Sequence, residues 1–234
     1  MGEFRFKQFT VENTDSALKV GTDSVLLGSL MESSGSRLLD IGTGTGVVAL
    51  MAAQRFSNVP GLSIDAIDID GPSAMEAAAN FGNSPWKSNL SAQNCALRDF
   101  VAEGKYDHIF SNPPFFDESL RNPDPRESRA RHTESLSYRE VLAFASEHLS
   151  ESGRVSMILP SEIETAVRRC AAGFDLNLDR VVRIRTTSKK APRRIVVEFT
   201  RLRNILREEE LTMQEGGEYT EQYRKVAGAF LLYL

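Results

Sequence analysis

The chain has 234 residues, of which 41% are hydrophobic and 26% charged, and its formal net charge is -4. That length allows one large domain, or a domain with an appendage, built on a substantial core, and the composition is that of a globular chain rather than a disordered or fibrous one. A mildly acidic balance excludes a uniformly basic surface, so a polyanionic partner would have to be met by local clusters of cations.

Two cysteines, Cys95 and Cys170, stand alone, with no CxxC or metal-like spacing, so neither a disulfide framework nor a metal site is expected. The first residues hold no apolar run of a signal peptide, and Phe6 stands where a myristoylation signal favours Ser or Thr. No stretch approaches the roughly 18 apolar residues of a membrane span. A cytoplasmic protein without membrane contact is expected.

In chain order, the pattern predicts strands over 37–41, 62–69, 90–97, 106–111, 154–159, 181–185 and 195–202. Helices are predicted over 47–56, 73–81, 138–149 and 161–172. The last opens with Ser161 and Glu164 in a capping-box spacing. Strands separated by helices of this length argue an α/β fold with a mostly parallel sheet. The close-set final pair predicts an antiparallel hairpin at one end of it. Residues 1–33 read as an added hairpin and helix packing on the core, and residues 34–234 as a single globular unit. Residues 112–135 read as a long loop holding Pro113, Pro114, Pro123 and Pro125; such loops are uncommon in compact domains and often functional.

The tetrapeptide Asn112-Pro113-Pro114-Phe115 ends the fourth strand. Asn112 carries a side-chain acceptor and a backbone acceptor. The prolines fix φ and remove competing N–H donors, so carbonyls face outward. Phe115 can stack on a base held out of its helix. This combination suits holding a planar amino group while a methyl group is delivered to its nitrogen. An ordinary turn with a buried Phe is the plain alternative.

Asp40-Ile41-Gly42-Thr43-Gly44-Thr45-Gly46 joins the first strand to the first helix of the sheet domain. Glycines let backbone approach a ligand closely, and the helix start presents free N–H groups. The spacing is G-x-G-x-G rather than the G-x-G-x-x-G of a dinucleotide site. An acid two residues before the first glycine repels phosphate and attracts a cationic amino group, which suits S-adenosylmethionine. Asp68, at the end of the second strand with Ile69 beside it, is the favoured acceptor for ribose hydroxyls, and Asp70 is its rival. Asp99 can accept from an adenine amino group with Phe100 beside the ring, or cap the turn that follows.

With these motifs in this order, the chain resembles the class I S-adenosylmethionine-dependent methyltransferases, specifically those acting on exocyclic or amide nitrogens. Phe6-Lys7-Gln8-Phe9, Lys19 to Gly28, Asn83-Ser84-Pro85-Trp86 and the tail from Tyr219 to Tyr233 narrow the resemblance to the bacterial valine-tRNA adenine-N6 methyltransferases. That resemblance implies a seven-stranded Rossmann-like domain, S-adenosylmethionine as donor with S-adenosylhomocysteine as product, and the anticodon region of tRNA as substrate. It also implies donor contacts at Thr22 and Asp23, whose plain alternative is capping of the helix starting near Ser24. Phe115 stands where many relatives have Tyr, and stacking survives that change.

For the RNA, nine Lys and Arg residues fall between Arg180 and Arg203. Lys189, Lys190, Arg193 and Arg194 are the candidate phosphate contacts among them. Arg126, Arg129 and Arg131 are candidates after the Pro-Pro turn, and Lys7 and Lys19 can extend the surface. No histidine is assigned a catalytic role, and no obligate protein partner is expected. Methylation of a ribosomal RNA guanine at N2, or of a protein glutamine amide, is the alternative within the fold. A nicotinamide enzyme is disfavoured by the glycine spacing, and a passive RNA-binding module by the full set of donor and turn motifs.

Overall fold

The computed structural model describes residues 2–17, 19–32, 35–114 and 136–234. Phe115, Arg126, Arg129 and Arg131 lie outside them. The hairpin β1 (Glu3–Arg5) and β2 (Thr10–Glu12) leads to α1 (Thr22–Leu30). Then follow β3 (Arg37–Ile41), α2 (Val47–Arg55), β4 (Ser63–Asp68), α3 (Gly71–Gly82), β5 (Leu90–Asn94) and β6 (Tyr106–Ser111). The C-terminal part holds α4 (Tyr138–His148), β7 (Leu149–Pro160), α5 (Glu164–Ala172), β8 (Asn177–Thr187), β9 (Arg194–Thr200), β10 (Arg207–Glu215), β11 (Glu218–Tyr219) and α6 (Glu221–Ala227).

Nine strands form one sheet in the order β11-β10-β8-β9-β7-β6-β3-β4-β5. Neighbours from β5 through β7 pair in parallel. β9 lies antiparallel between β7 and β8, and β10 runs parallel to β8. The seven expected strands are all present in this α/β sheet, and β10 and β11 extend it beyond them.

Adjacent residues on a strand face opposite sides of the sheet, and both sides here are apolar. Leu38, Val196 and Phe110 pack with α1, α2 and α3, whereas Leu39, Val197 and Ile109 pack with α4 and α5. Strands buried on both faces tend to read as apolar runs, as Leu38-Leu39 and Ile195-Val196-Val197 do, whereas β4 is legible by its alternation. The N-terminal hairpin meets the C-terminal tail: Phe6 pairs with Leu231, and the Lys7 N–H donates to the Phe230 carbonyl at 2.8 Å. Phe4, Phe6, Phe9 and Trp86 make a chain of ring contacts beneath them.

Three local expectations change. The third strand ends at Asn94, and Leu97–Asp99 is a short 3-10 turn. β7 starts at Leu149, where the preceding helix was expected to end. Ser161 does not cap a helix, because its hydroxyl donates to the Pro192 carbonyl at 2.6 Å while Glu164 is drawn to Arg183 at 2.6 Å; α5 begins only at Glu164.

Candidate active site at the carboxyl edge of the sheet

Ile41 of β3 lies opposite both Ile67 of β4 and Ser111 of β6, and Asp68 lies opposite Asn94 of β5. The four strands therefore end level. The chain runs outward from β3 to β4 and β5, then returns to β3's other side with β6, so a crevice opens at the switch point, the usual ligand position in open α/β sheets. A cavity of about 330 Å³ lies there. Its wall takes Ile41, Gly42 and Gly44 from the first turn, Ile67 to Asp70 from the second, Cys95 to Arg98 from the third, and Asn112 and Pro114 from the fourth. Ala17, Ser73, Leu136 and Glu140 complete it.

The glycine turn is built by its backbone. Gly42, Gly44 and Gly46 have φ of 71°, 55° and 80°, a region that L side chains rarely adopt. Gly42 and Thr43 both donate to the Ile67 carbonyl, and Gly44 donates to Asp68 Oδ2 at 2.8 Å. At Gly46 there is no room for a side chain, because a Cβ would lie 2.5 Å from the Phe81 ring.

Asp40 is fully buried and accepts from the Thr43 hydroxyl at 2.7 Å. Burial pushes its carboxyl up to about 7, with the Thr43 bond opposing. It does not line the cavity; it braces the turn from beneath.

Asp68 and Asp70 part company. Asp70 caps α3, accepting from the Ser73 N–H at 2.9 Å and the Ser73 hydroxyl at 2.6 Å. Asp68 accepts backbone N–H groups from Gly44 and Asp70, one on each oxygen. That orients the carboxylate and leaves lone pairs for a ligand. Burial raises its pKa, against the pull of those two bonds. Ile69, half-exposed, lies beside it in the wall.

Ser111 donates to the Ile41 carbonyl at 2.7 Å, fixing the end of β6 against β3. Asn112 and Pro114 follow into the cavity wall, while Pro113 is buried. Asp99 is brought elsewhere: its side chain is 69% exposed, pairs with Arg98 at 3.5 Å and caps no helix. Phe100 packs against Phe144 and is not among the residues lining the cavity. Thr22 and Asp23 lie in the first turn of α1, whose cap is Gly21, and neither lines the cavity. Asp23 instead pairs with Arg194 at 2.9 Å.

Lys189, Lys190 and Arg193 are exposed in the β8–β9 turn, on the same edge of the sheet as the cavity. Arg180, Arg183 and Arg185, counted in the same basic cluster, pair with Glu209, Glu208 and Glu210 of β10. Lys7 and Lys19 are exposed and donate to the Gly228 and Thr14 carbonyls. Wall residues not anticipated are Ala17, Ile67, Ser73, Cys95 to Arg98, Leu136 and Glu140. Their signal was positional: Cys95 to Arg98 directly follow the end of β5.

A methyltransferase small domain model matches residues 12–168. The tRNA1(Val) (adenine(37)-N6)-methyltransferase of Bacteroides thetaiotaomicron is 37% identical over 99% of this chain and 98% of its own. That of Bacteroides fragilis is 40% identical over 98% of this chain and 97% of its own. Among solved structures, a predicted O-methyltransferase from Agrobacterium tumefaciens has a TM-score of 0.66 at 16% identity, covering 89% of this chain and 96% of its own, a likeness of fold. With near full-length relatives at this identity, the chain belongs to the family of tRNA1(Val) (adenine(37)-N6)-methyltransferases.

Proposed function

We propose that the chain transfers a methyl group from S-adenosylmethionine to the exocyclic N6 of adenine 37, next to the anticodon of tRNA1(Val). The observation that carries this reading is the position of Asn112 and Pro114 in the same cavity wall as Asp68 and the glycine turn. The family's name supplies the acceptor.

The residues present fit the donor. Asp68, oriented by two backbone N–H groups, would accept the ribose hydroxyls. Ile69 and Leu97 offer apolar wall to a planar ring. Side-chain-free Gly42 and Gly44 leave backbone open to the ligand. When bound, S-adenosylmethionine supplies an electrophilic methyl group on a sulfonium.

The protein's part is orientation and electrostatics. An adenine amino nitrogen is a poor nucleophile because its lone pair is delocalised into the ring. The Asn112 side-chain oxygen and the Pro113 carbonyl accept its two N–H groups and favour a pyramidal nitrogen. Neither proline offers an N–H that would compete for those acceptors. Phe115 stacks on the base, and Lys189, Lys190, Arg193, Arg126, Arg129 and Arg131 take phosphates. The amino proton, acidic once the new bond forms and S-adenosylhomocysteine leaves, passes to water, so no histidine is assigned as general base. His108 is unsuited to that part, being buried and bonded to Ser156 at 2.8 Å.

The test is methyl transfer from labelled S-adenosylmethionine to unmodified valine tRNA, followed by nucleoside analysis. N6-methyladenosine beside the anticodon is expected. Donor binding without a tRNA product would replace this acceptor with ribosomal RNA guanine or a protein glutamine.

A further inference from the structure

One face of α3 grips the segment that leads from β2 towards α1. Ser73, Glu76 and Asn80 recur at three- and four-residue spacing, so they share a face of the helix. Asn80 accepts the Glu12 N–H at 2.7 Å and donates to the Glu12 carbonyl at 3.1 Å. Glu76 Oε1 accepts the Thr14 N–H at 2.6 Å, the Asp15 N–H at 2.9 Å and the Thr14 hydroxyl at 3.1 Å. Its Oε2 accepts the Ser16 N–H at 2.9 Å. The Ser73 hydroxyl accepts the Ala17 N–H at 3.1 Å. Four successive backbone N–H groups thus end on two side chains of α3, and the fourth belongs to Ala17, a residue of the cavity wall.

We infer that Glu76 is a positioning residue for the methyl donor: by gathering the N–H groups of Thr14, Asp15 and Ser16, it holds Ala17 in the wall of the donor cavity. This rests on the donor reading above. Glu76 is only 5% exposed, and none of its bonds reaches the cavity itself. Successive N–H groups converging on one anion form a nest, and here the anion is the protein's own carboxylate. Burial pushes that carboxyl up, but the bonds from Asp15, Thr14 and Ser16 outweigh it and leave its pKa below the usual value. Charge-assisted bonds of this kind are roughly twice as strong as neutral ones. A glutamine keeps one acceptor and turns an amide N–H₂ towards the remaining donors, so the gathering fails without loss of side-chain volume.

Two measurements test this on the full chain. In the unaltered protein, amide exchange at Thr14, Asp15 and Ser16 should slow when S-adenosylhomocysteine binds, because coupling between strap and donor is reciprocal. In Glu76→Gln, the Kd for S-adenosylhomocysteine and the KM for the donor should rise about tenfold, equivalent to about 1.4 kcal/mol. The loss should fall on KM, with kcat at saturating donor held within about twofold, a split that general loosening of the fold would not produce. Exchange indifferent to S-adenosylhomocysteine, or donor affinity unchanged in folded Glu76→Gln, overturns the inference and leaves the donor reading intact. Failure of the unaltered chain to bind S-adenosylhomocysteine overturns both.

Discussion

The Asp23 carboxylate meets the Arg194 guanidinium at 2.9 Å, joining the first turn of α1 to the start of β9 across 171 residues of sequence. Two residues singled out for different ligands, one for the donor and one for RNA, are thereby bound to each other. The pair is part-buried and ties the N-terminal helix to the base of the β8–β9 turn. Ser161 holds the same turn through the Pro192 carbonyl. The turn is thus a braced support carrying Lys189, Lys190 and Arg193 outward. Replacing those three by Gln should reduce the slope of log affinity for tRNA against log salt by about 2, since each lost phosphate contact removes about 0.7–0.9. Arg194→Gln should change the slope by less than about 0.7 and cost about 1 kcal/mol of stability or less. Binding titrations over a salt series read both; equal slopes for the triple variant and the unaltered protein would remove the turn from the RNA surface.

On the proposed mechanism, Asn112→Ala removes the acceptor for the amino group of the target base while leaving Asp68 and the glycine turn of the donor's wall in place. Turnover should fall by about a hundredfold or more, the usual loss when one preorganised polar group is removed from a reacting centre. The Kd for S-adenosylhomocysteine should stay within about threefold. Single-turnover methylation and calorimetric binding separate the two; a collapse of donor affinity would make Asn112 a donor residue instead.

How much of this was legible follows from where the information lies. The parallel strands were legible as short, mainly apolar runs or, in β4, as alternation, and the glycine turn and Asn112-Pro113-Pro114 announce themselves by residue type. β10 does not: in Arg207–Glu215 only Leu211 is buried, and the strand is held beside β8 partly by Glu208, Glu209 and Glu210 pairing with arginines. Those arginines swelled the basic cluster because their glutamate partners lie outside it, in β10 past Arg203 and, for Arg183, also at Glu164. Asp40 lay beyond sequence reading for a different reason. An acid at the end of a strand can face the ligand or the turn, and only the Thr43 bond, in three dimensions, distinguishes them. Asp99 likewise sits at the right distance along the chain, but its 3-10 turn carries it outward.

Asp68 and Asp70 are two residues apart and do different work, so isosteric amides should divide them. Asp68→Asn keeps the shape but removes charge and turns an N–H₂ towards either Gly44 or Asp70 N–H. Donor affinity should fall by tenfold or more, roughly the loss of one charged hydrogen bond. Asp70→Asn still caps α3, since Asn is as good an N-cap as Asp. Its donor affinity should be nearly unchanged, and Asp70→Ala should lose about 1 kcal/mol of stability, the usual cost of a lost cap. Binding and chemical denaturation of the three variants test this, and a larger donor defect in Asp70→Asn than in Asp68→Asn would reverse the assignment.

His108 supplies a pH test. Its Nε2 lies 2.8 Å from the Ser156 hydroxyl, which itself donates to Glu198 at 3.1 Å. Ser156 spends its proton on Glu198, so Nε2 carries the imidazole proton and Nδ1, which has no partner among the described residues, is bare. Burial, with Arg154 and Arg55 nearby, lowers the pKa to about 3 from 6.5. Between those values the unfolded chain binds a proton that the folded chain refuses, so stability rises with pH there and is lost as pH falls below 6.5. His108→Gln can still donate to Ser156 but cannot titrate. Whatever its cost near neutrality, that cost should shrink by about 2–3 kcal/mol on going from about pH 7.5 to about pH 4.5, at 1.36 kcal/mol per unit. Subtracting the two stability curves cancels Asp40, whose raised carboxyl works in the opposite sense over the same range. Urea denaturation of both proteins at a series of pH values measures the difference; a gap independent of pH would mean that His108 titrates alike in the folded and unfolded chains.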